Sequence, residues 1–429
     1  MVLAIFAPAT EALVAAVETA RLLGSPETMA RAASVYLMVR PPDPGVVELA
    51  EEALKRLGGS APDLRARLVA GLAVSARHDP GRAEATAEVA LALARESGDS
   101  DAVHTALVAR KLLLADSPRA REWLAVEEEL VAIGPRSGAV AGVSRWMFSL
   151  GRGRALARLS LGDRTGFESD ADRLGTWTGE LQNRGGQWQD ALWRATLALL
   201  DGRFGEVEAL ASASLSLVSA HIDPWAIQMC KLALEEGRAA AFEDEAVRVS
   251  AAVPGNTILL SMVAFMHSER GRHEDALRIV AELEADDFRR VLRGLTTTAF
   301  AYVTEVVVAL EEADRMAKVY ELFRPYSGLA CVSGVGAHCP GAVDRYLGQL
   351  ASTLGRWDEA EGHYRAALHL ESGLRAPPLL ARTQYCFGRM LVERNRAGDA
   401  DQARALVKVA VETAGRLGMK RLRAQASEL

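Results

Sequence analysis

VDRYLGQLASTLGRWDEAEGHYRAAL, residues Val343–Leu368, decides how this chain folds. Leu347-Gly348 sits inside one helical stretch, Gly355 falls at a break, and Ala360, Tyr364 and Ala367 lie in a second stretch. A small residue at Gly348 and another at Ala360 let two helices of a hairpin approach closely. Gly355 supplies the left-handed conformation that ends a helix, and Tyr364 fills the gap towards the following hairpin. Ala367, Leu368 and Leu370 continue an apolar stripe at helical spacing. The pattern repeats in LARTQYCFGRMLVERNRAGDADQARALVKVAVETA, Leu380–Ala414. There Phe387-Gly388 stands for Leu347-Gly348, Ala403 and Ala410 are the small positions, and extra residues fall in the Asn395–Asp399 turn.

The offsets resemble those of the tetratricopeptide repeat. A turn hexapeptide recurs at Gly202–Val207 (GRFGEV), Gly271–Ala276 (GRHEDA) and Gly355–Ala360 (GRWDEA). The first two copies lie about two periods of roughly 34 residues apart; the last is more distant, so the array contains insertions. Upstream the hairpins are degenerate, as in GVVELAEEALKRLGG, GRAEATAEVALALARESGD and REWLAVEEELVAIGP. Each is an amphipathic helix with a glycine near its end. The expected architecture is all-α, a right-handed superhelical solenoid of tetratricopeptide-like hairpins, roughly eleven of them at about 36 to 40 residues per pair. Residues 1–185 form its degenerate part and 186–429 its clearer part, in one continuous array. Pro41-Pro42-Asp43-Pro44-Gly45 reads as a loop between hairpins.

Bulk properties narrow the function. With 49% hydrophobic and 25% charged residues in 429, the chain has the composition of a folded globular protein rather than a disordered one. A net charge of −6 argues against a general nucleic-acid binder, which needs a basic face to displace counterions. Only six of the 50 basic residues are lysines. That bias fits GC-rich coding, or arginine-based recognition of carboxylate and phosphate groups. Four cysteines make no disulfide framework, so a reducing, cytoplasmic setting is expected. The N-terminal MVLAIFAPATEALVAAVETARLL lacks a basic leader and carries Pro8, Glu11 and Glu18. It reads as a first amphipathic helix, neither signal peptide nor membrane span.

A longer likeness runs through Tyr320-Glu321-Leu322, Pro325-Tyr326, Cys339, Tyr346-Leu347-Gly348, Gly355-Arg356 and Ala381-Arg382-Thr383-Gln384-Tyr385. This stretch resembles the tetratricopeptide-like C-terminal region of bacterial cyclase-linked and LuxR-type signalling ATPases, the MalT-like repeat receivers. The resemblance implies repeats that receive a signal, a partner or small inducer, and restrain or release a switch domain. The departures are plain. No GxxxxGK[ST] phosphate loop, no cyclase carboxylates in context and no helix-turn-helix after Met419 are found. Only the receiving role carries over: a receiver without its switch.

Two segments hold the candidate binding residues. Gly328–Gly341 (GLACVSGVGAHCPG) places His338 beside Cys339, but Cys331 and Cys339 fall outside zinc spacing and no third group orients the imidazole on the thiol. Neither a metal site nor catalysis is expected there. A tight glycine-permitted loop with inward cysteines is one reading, and a loop that brings His338 to a ligand is the other. The second segment gathers Arg145, Trp146, Arg152, Arg154 and Arg158, followed by Trp177, Trp188, Trp193 and Trp225. Inter-hairpin packing accounts for it, as does a groove of arginine and tryptophan for an acidic peptide or planar anion. The sequence therefore points to a non-enzymatic scaffold or receiver that binds a protein or peptide partner, with no cofactor, no metal, no direct nucleic-acid contact and no membrane anchor. A small-molecule sensor is the alternative. Its candidate contacts are Arg145, Trp146, Arg152, Trp188, Trp193, Trp225 and His338.

Overall fold

A computed structural model describes the backbone of residues 7–39, 43–115, 117–133, 143–180, 184–218, 222–288, 291, 297–427 and 429. Side chains are described for the same residues apart from 7–13, 39, 143–150 and 180. Over these residues the protein is all-α, with 22 α-helices, a 3-10 turn and one pair of two-residue strands. It divides into two compact units, 1–150 and 151–429, and the division falls inside one helix, α8 (Val143–Ser160).

The first unit runs through α1 (Ala7–Leu23), α2 (Pro26–Val39), α3 (Pro44–Leu57), α4 (Pro62–Ser75), α5 (Pro80–Ser97), α6 (Ser100–Leu114) and α7 (Ala120–Ile133). Its helix starts follow local chemistry. The Asp43, Asp79 and Asp99 carboxylates accept from the free N–H groups of the first turns of α3, α5 and α6. Pro44, Pro62 and Pro80 occupy first-turn positions, where a missing N–H costs nothing. Residues 41 and 42 of the expected loop lie outside the described residues; the rest of it caps and opens α3. Each helix packs on the next, and α4 also packs on α2 and α6.

The second unit contains α9 (Arg164–Glu180), α10 (Arg184–Asp201), α11 (Phe204–Leu217), α12 (Ile222–Glu235), α13 (Ala239–Ala252), α14 (Thr257–Glu269), α15 (His273–Glu284), α16 (Thr297–Ala309) and α17 (Ala313–Phe323). After the strands β1 (Ala330–Cys331) and β2 (Gly341–Ala342) come α18 (Val343–Thr353), α19 (Trp357–Gly373), α20 (Pro377–Arg394), α21 (Asp399–Leu417) and α22 (Lys420–Ala426). The hairpin reading of α18–α19 is met in detail. A Cβ built on Gly348 would lie 2.9 Å from the Tyr364 ring, so only glycine permits this approach. Tyr364 in turn stacks on Phe387 of α20 with ring centroids 5.5 Å apart. The next hairpin repeats the device: a Cβ on Gly388 would lie 2.6 Å from Val407.

Alternate helices form an inner set. α10 packs on α12, α12 on α14, α14 on α16, α16 on α18 and α18 on α20. The set then returns to its start, because α20 also packs on α10 and α22 on α12. A seam of small and apolar residues makes this closure possible: Ala195, Ala198, Leu199 and Leu232 meet Ala381, Ala410, Ala414 and Leu422. Polar contacts of high sequence separation accompany it, including Arg164 Nη1 to the Leu374 carbonyl at 3.3 Å and Arg382 Nη2 to Glu235 Oε2 at 2.5 Å. As a result α12, α14, α16 and α18 are buried along nearly their whole length, and the main core lies among them.

Candidate functional site

The inner helices of the second unit carry polar side chains towards one another at helical spacing. They are Gln189 and Thr196 on α10; Gln228, Lys231 and Glu235 on α12; Thr298, Tyr302 and Glu305 on α16; Arg345 and Gln349 on α18; and Arg382 and Thr383 on α20. All but Glu305, which is half-buried, are nine-tenths or more buried. On α10, α12, α16 and α18 the spacing is i+3, i+4 or i+7, which keeps each stripe on one helix face, whereas Arg382 and Thr383 of α20 are neighbours.

Two ionic clusters organise this interior. In the first, Glu235 receives Lys231 of its own helix and Arg382 from across the seam. Burial acts to raise the Glu235 pKa, but Arg382 and Lys231 outweigh it and hold the carboxyl at about 2. Lys231 is pushed down to about 8, by burial first, against the pull of Glu235. In the second, Arg345 Nη1 lies 3.3 Å from Glu371 Oε1 and Nη2 donates to the Pro340 carbonyl at 2.5 Å. Glu371 also accepts from Thr383 Oγ1 at 2.6 Å and from the Ala342 N–H at 3.1 Å. Burial raises the Glu371 pKa despite Arg345.

The segment between β1 and β2 closes over these clusters. The strands pair antiparallel, Ala330 with Ala342 and Cys331 with Gly341, and the turn is tied by the Ser333 N–H to the His338 carbonyl at 3.0 Å. At Gly341 (φ +121°) a Cβ would lie 2.6 Å from Glu371 and 2.8 Å from Arg345, so glycine lets the strand lie on the ion pair. The inward cysteines of the sequence reading are found: Cys331 and Cys339 are buried, and burial pushes Cys339 up to about 12. Such a thiol stays protonated and is a poor nucleophile.

His338 is the sequence-predicted residue that the fold places at the centre. It is 1% exposed, with Nε2 2.8 Å from the Tyr302 hydroxyl. Burial, and then Lys231, hold its pKa well below the ordinary histidine value, so the ring is neutral. Trp193 joins it: fully buried, it donates from Nε1 to the Val335 carbonyl at 3.0 Å, beside Gln189 at 2.8 Å. Trp188 is buried in the same core. Trp225 packs edge-on against Phe242 at 5.9 Å, and its Nε1 has no partner among the described residues. The arginine segment is placed differently. Arg152 is half-buried on α8, while Arg154 and Arg158 both pair with Asp170 of α9, at 3.0 Å from Arg154 Nε and 3.0 Å from Arg158 Nη1. Their charge is thus spent inside the α8–α9 hairpin. The side chains of Arg145 and Trp146 lie outside the described residues.

No model of a known protein family matches this chain, and no curated protein matches it.

Sequence reasoning missed Lys231, Glu235, Tyr302, Arg345, Glu371 and Arg382. The available signal was the polar rhythm inside apolar helices, as in Gln228-x2-Lys231-x3-Glu235 of IQMCKLALE. Read alone, such a stripe is a solvent face. Only the return of α20 to α10 turns it inward.

Two further places bear on function. Asp344 accepts from Ser327 Oγ (2.8 Å) and the Gly328 N–H (2.6 Å) and meets His363 Nδ1 at 2.7 Å. His363 Nε2 faces the Tyr320 hydroxyl at 3.1 Å, and Tyr320 donates to Glu359 at 2.9 Å. The row has the outline of a catalytic relay. However, burial and the Glu359 contact push Tyr320 up to about 12, so its hydroxyl is not activated. In the first unit a groove of about 240 Å³ crosses α2, α4 and α6, lined by Ser34, Val35, Met38, Arg67, His104, Thr105 and Val108. Arg67 is neutralised by Asp99 at 2.8 Å, and burial pushes His104 down to about 4, leaving it uncharged. The groove thus sets Val35, Met38 and Val108 among polar side chains, with the Arg67 charge compensated by Asp99. Among the described residues no helix is long and apolar enough to cross a membrane, and no three His, Cys, Asp or Glu side chains converge as metal ligands.

Proposed function

We propose that the chain is a non-catalytic receiver built from tetratricopeptide-like hairpins stacked in a right-handed superhelical solenoid. It binds a protein or peptide segment in bacterial signalling or regulation, as its resemblance to the repeat regions of cyclase-linked and LuxR-type ATPases implies. The repeat reading is supported by Gly348 under Tyr364 and Gly388 under Val407, the same small-against-large device in consecutive hairpins. One observation carries the partner reading: the α2–α4–α6 groove, in which Val35 is 50% exposed beside Met38 and Val108. Aliphatic side chains left in a concave surface suit the aliphatic side chains of a partner segment.

The test is site-specific photo-crosslinking in cells that make the protein. A crosslinker at Val35 is expected to trap a discrete partner, whereas one at Val89, exposed on α5 and outside the groove lining, is expected to trap none. The same products from both positions would sink the reading.

A second reading, a small-molecule sensor, is favoured by a different observation. The buried interior of the second unit holds charged and polar groups where apolar residues would pack as well. Clusters of this kind, with several shifted pKa values, mark functional sites more often than plain cores.

A further inference from the structure

Resting on that second reading, we infer that the interior of the second unit binds a small oxyanion, a carboxylate or phosphate group, between His338, Arg345 and Arg382. Three buried nitrogens there lack a partner among the described residues: Arg345 Nε, Arg382 Nε and His338 Nδ1. They come from α18, α20 and the β1–β2 segment, and His338 is within electrostatic reach of Lys231, Glu235, Arg345 and Arg382. Both arginine Nε atoms are donors in every state. Proton counting makes the third a donor too. Burial keeps the Tyr302 hydroxyl protonated, and His338 Nε2 is its hydrogen-bond partner. When Tyr302 donates to Nε2, the ring proton sits on Nδ1; the reverse arrangement strands the hydroxyl proton as well. Three orphaned donors call for a guest with acceptor oxygens, and the unpartnered Gln228 and Gln349 Oε1 atoms of the same interior suit one that also carries a hydroxyl, as hydrogen phosphate and malate do.

The charge balance agrees. Among the described residues, the buried side chains of the two clusters set three cations, Lys231, Arg345 and Arg382, against two carboxylates, Glu235 and Glu371. Arg421 has its own partner in Glu269 and Arg389 in Glu393. The remaining carboxylate within reach is Glu305, half-buried on α16. A bound anion would give the three buried cations a third buried negative partner. A neutral polyol would bring hydroxyl donors of its own and leave the excess of buried cations in place.

Calorimetric unfolding of the full chain tests this, with inorganic phosphate, malate and erythritol compared at matched ionic strength. Phosphate or malate is expected to raise the unfolding temperature of the second unit with saturation, and erythritol to leave it unchanged. Lys231→Met removes the excess charge while leaving Glu235 paired to Arg382; it is expected to weaken the anion effect about tenfold or more. Arg382→Gln is expected to abolish it, and where that variant does not fold, Lys231→Met decides. An equal anion effect in wild type and Lys231→Met overturns the inference. A shift from erythritol, or from uncharged members of a metabolite library, with none from the anions, overturns the oxyanion but keeps the sensor reading. No shift from any of them overturns both.

Discussion

Replacing Glu235 by glutamine should unbalance the second unit more than any surface change. Glu235 is fully buried, joins α12 to α20, and faces two cations, Lys231 and Arg382. Glutamine keeps the volume, so no cavity enters the account; what is lost is the only carboxylate of this cluster. Removing one partner of a buried ion pair costs about 3–5 kcal/mol, since an uncompensated charge stays behind. For a unit of this size that corresponds to a fall in unfolding temperature of about 6–20 °C. The cost depends on pH in a definite direction. Lys231 already titrates near 8, and without Glu235 its neutral form is favoured further. The unfolded chain keeps that proton up to about 10.4. Above neutrality the unfolded state then binds more protons than the native one, so raising the pH recovers stability. Calorimetry at pH 7 and pH 9 should show the larger loss at pH 7, and Lys231→Met added to Glu235→Gln should return part of it. A loss below about 1 kcal/mol at pH 7, or equal losses at both pH values, would refute the reasoning. In the wild type the stability due to Glu235 is present above the usual glutamate pKa, near 4.5, and is lost as the pH falls towards 2.

His338 supplies an acid-side counterpart: held neutral in the fold, it must be protonated on unfolding below about pH 6.5. Stability should fall as pH drops below that value, by at most about 1.4 kcal/mol per pH unit for this one proton, and urea titrations of His338→Gln should show a shallower slope. Gly348→Val places side-chain atoms against the Tyr364 ring and should cost about 1–3 kcal/mol, partly recovered by Tyr364→Leu; denaturant midpoints read both. Gly341→Ala combines a φ that disfavours a side chain with a collision against Arg345 and Glu371, and should lower the unfolding temperature of the second unit, whereas alanine at Gly355, with nothing within 4 Å, should cost only its left-handed strain.

The helices were legible because their signals are local. Gly355 ends one helix, Asp99 begins another, and the Gly348–Tyr364 offset is a hairpin written in one stretch of sequence. The inward cysteines were legible as well, since Cys331 and Cys339 sit in an apolar, glycine-rich run. What lay beyond reach was the partner of each polar stripe. Arg382 meets Glu235 at a separation of 147 residues, and nothing near either residue announces the other. Tryptophan content left packing and a binding groove both open, for a related reason. Trp188 and Trp193 cluster in sequence with arginines, yet α10 is an inner helix, so the ring of Trp193 meets Phe167 at 5.3 Å and its N–H meets the Val335 carbonyl. The first-unit groove went unseen because Val35, Met38, His104 and Val108 are unremarkable singly and gather only when α2, α4 and α6 pack side by side.

The receiver claim is tested most directly by the affinity of the partner trapped at Val35, measured calorimetrically against wild type and against the Val35→Glu, Met38→Glu double variant. Both positions are surface-accessible, so the fold should be undisturbed and the unfolding temperature unchanged. Buried carboxylates facing aliphatic side chains should weaken binding by about a hundredfold or more. Unchanged affinity with unchanged stability would contradict the account.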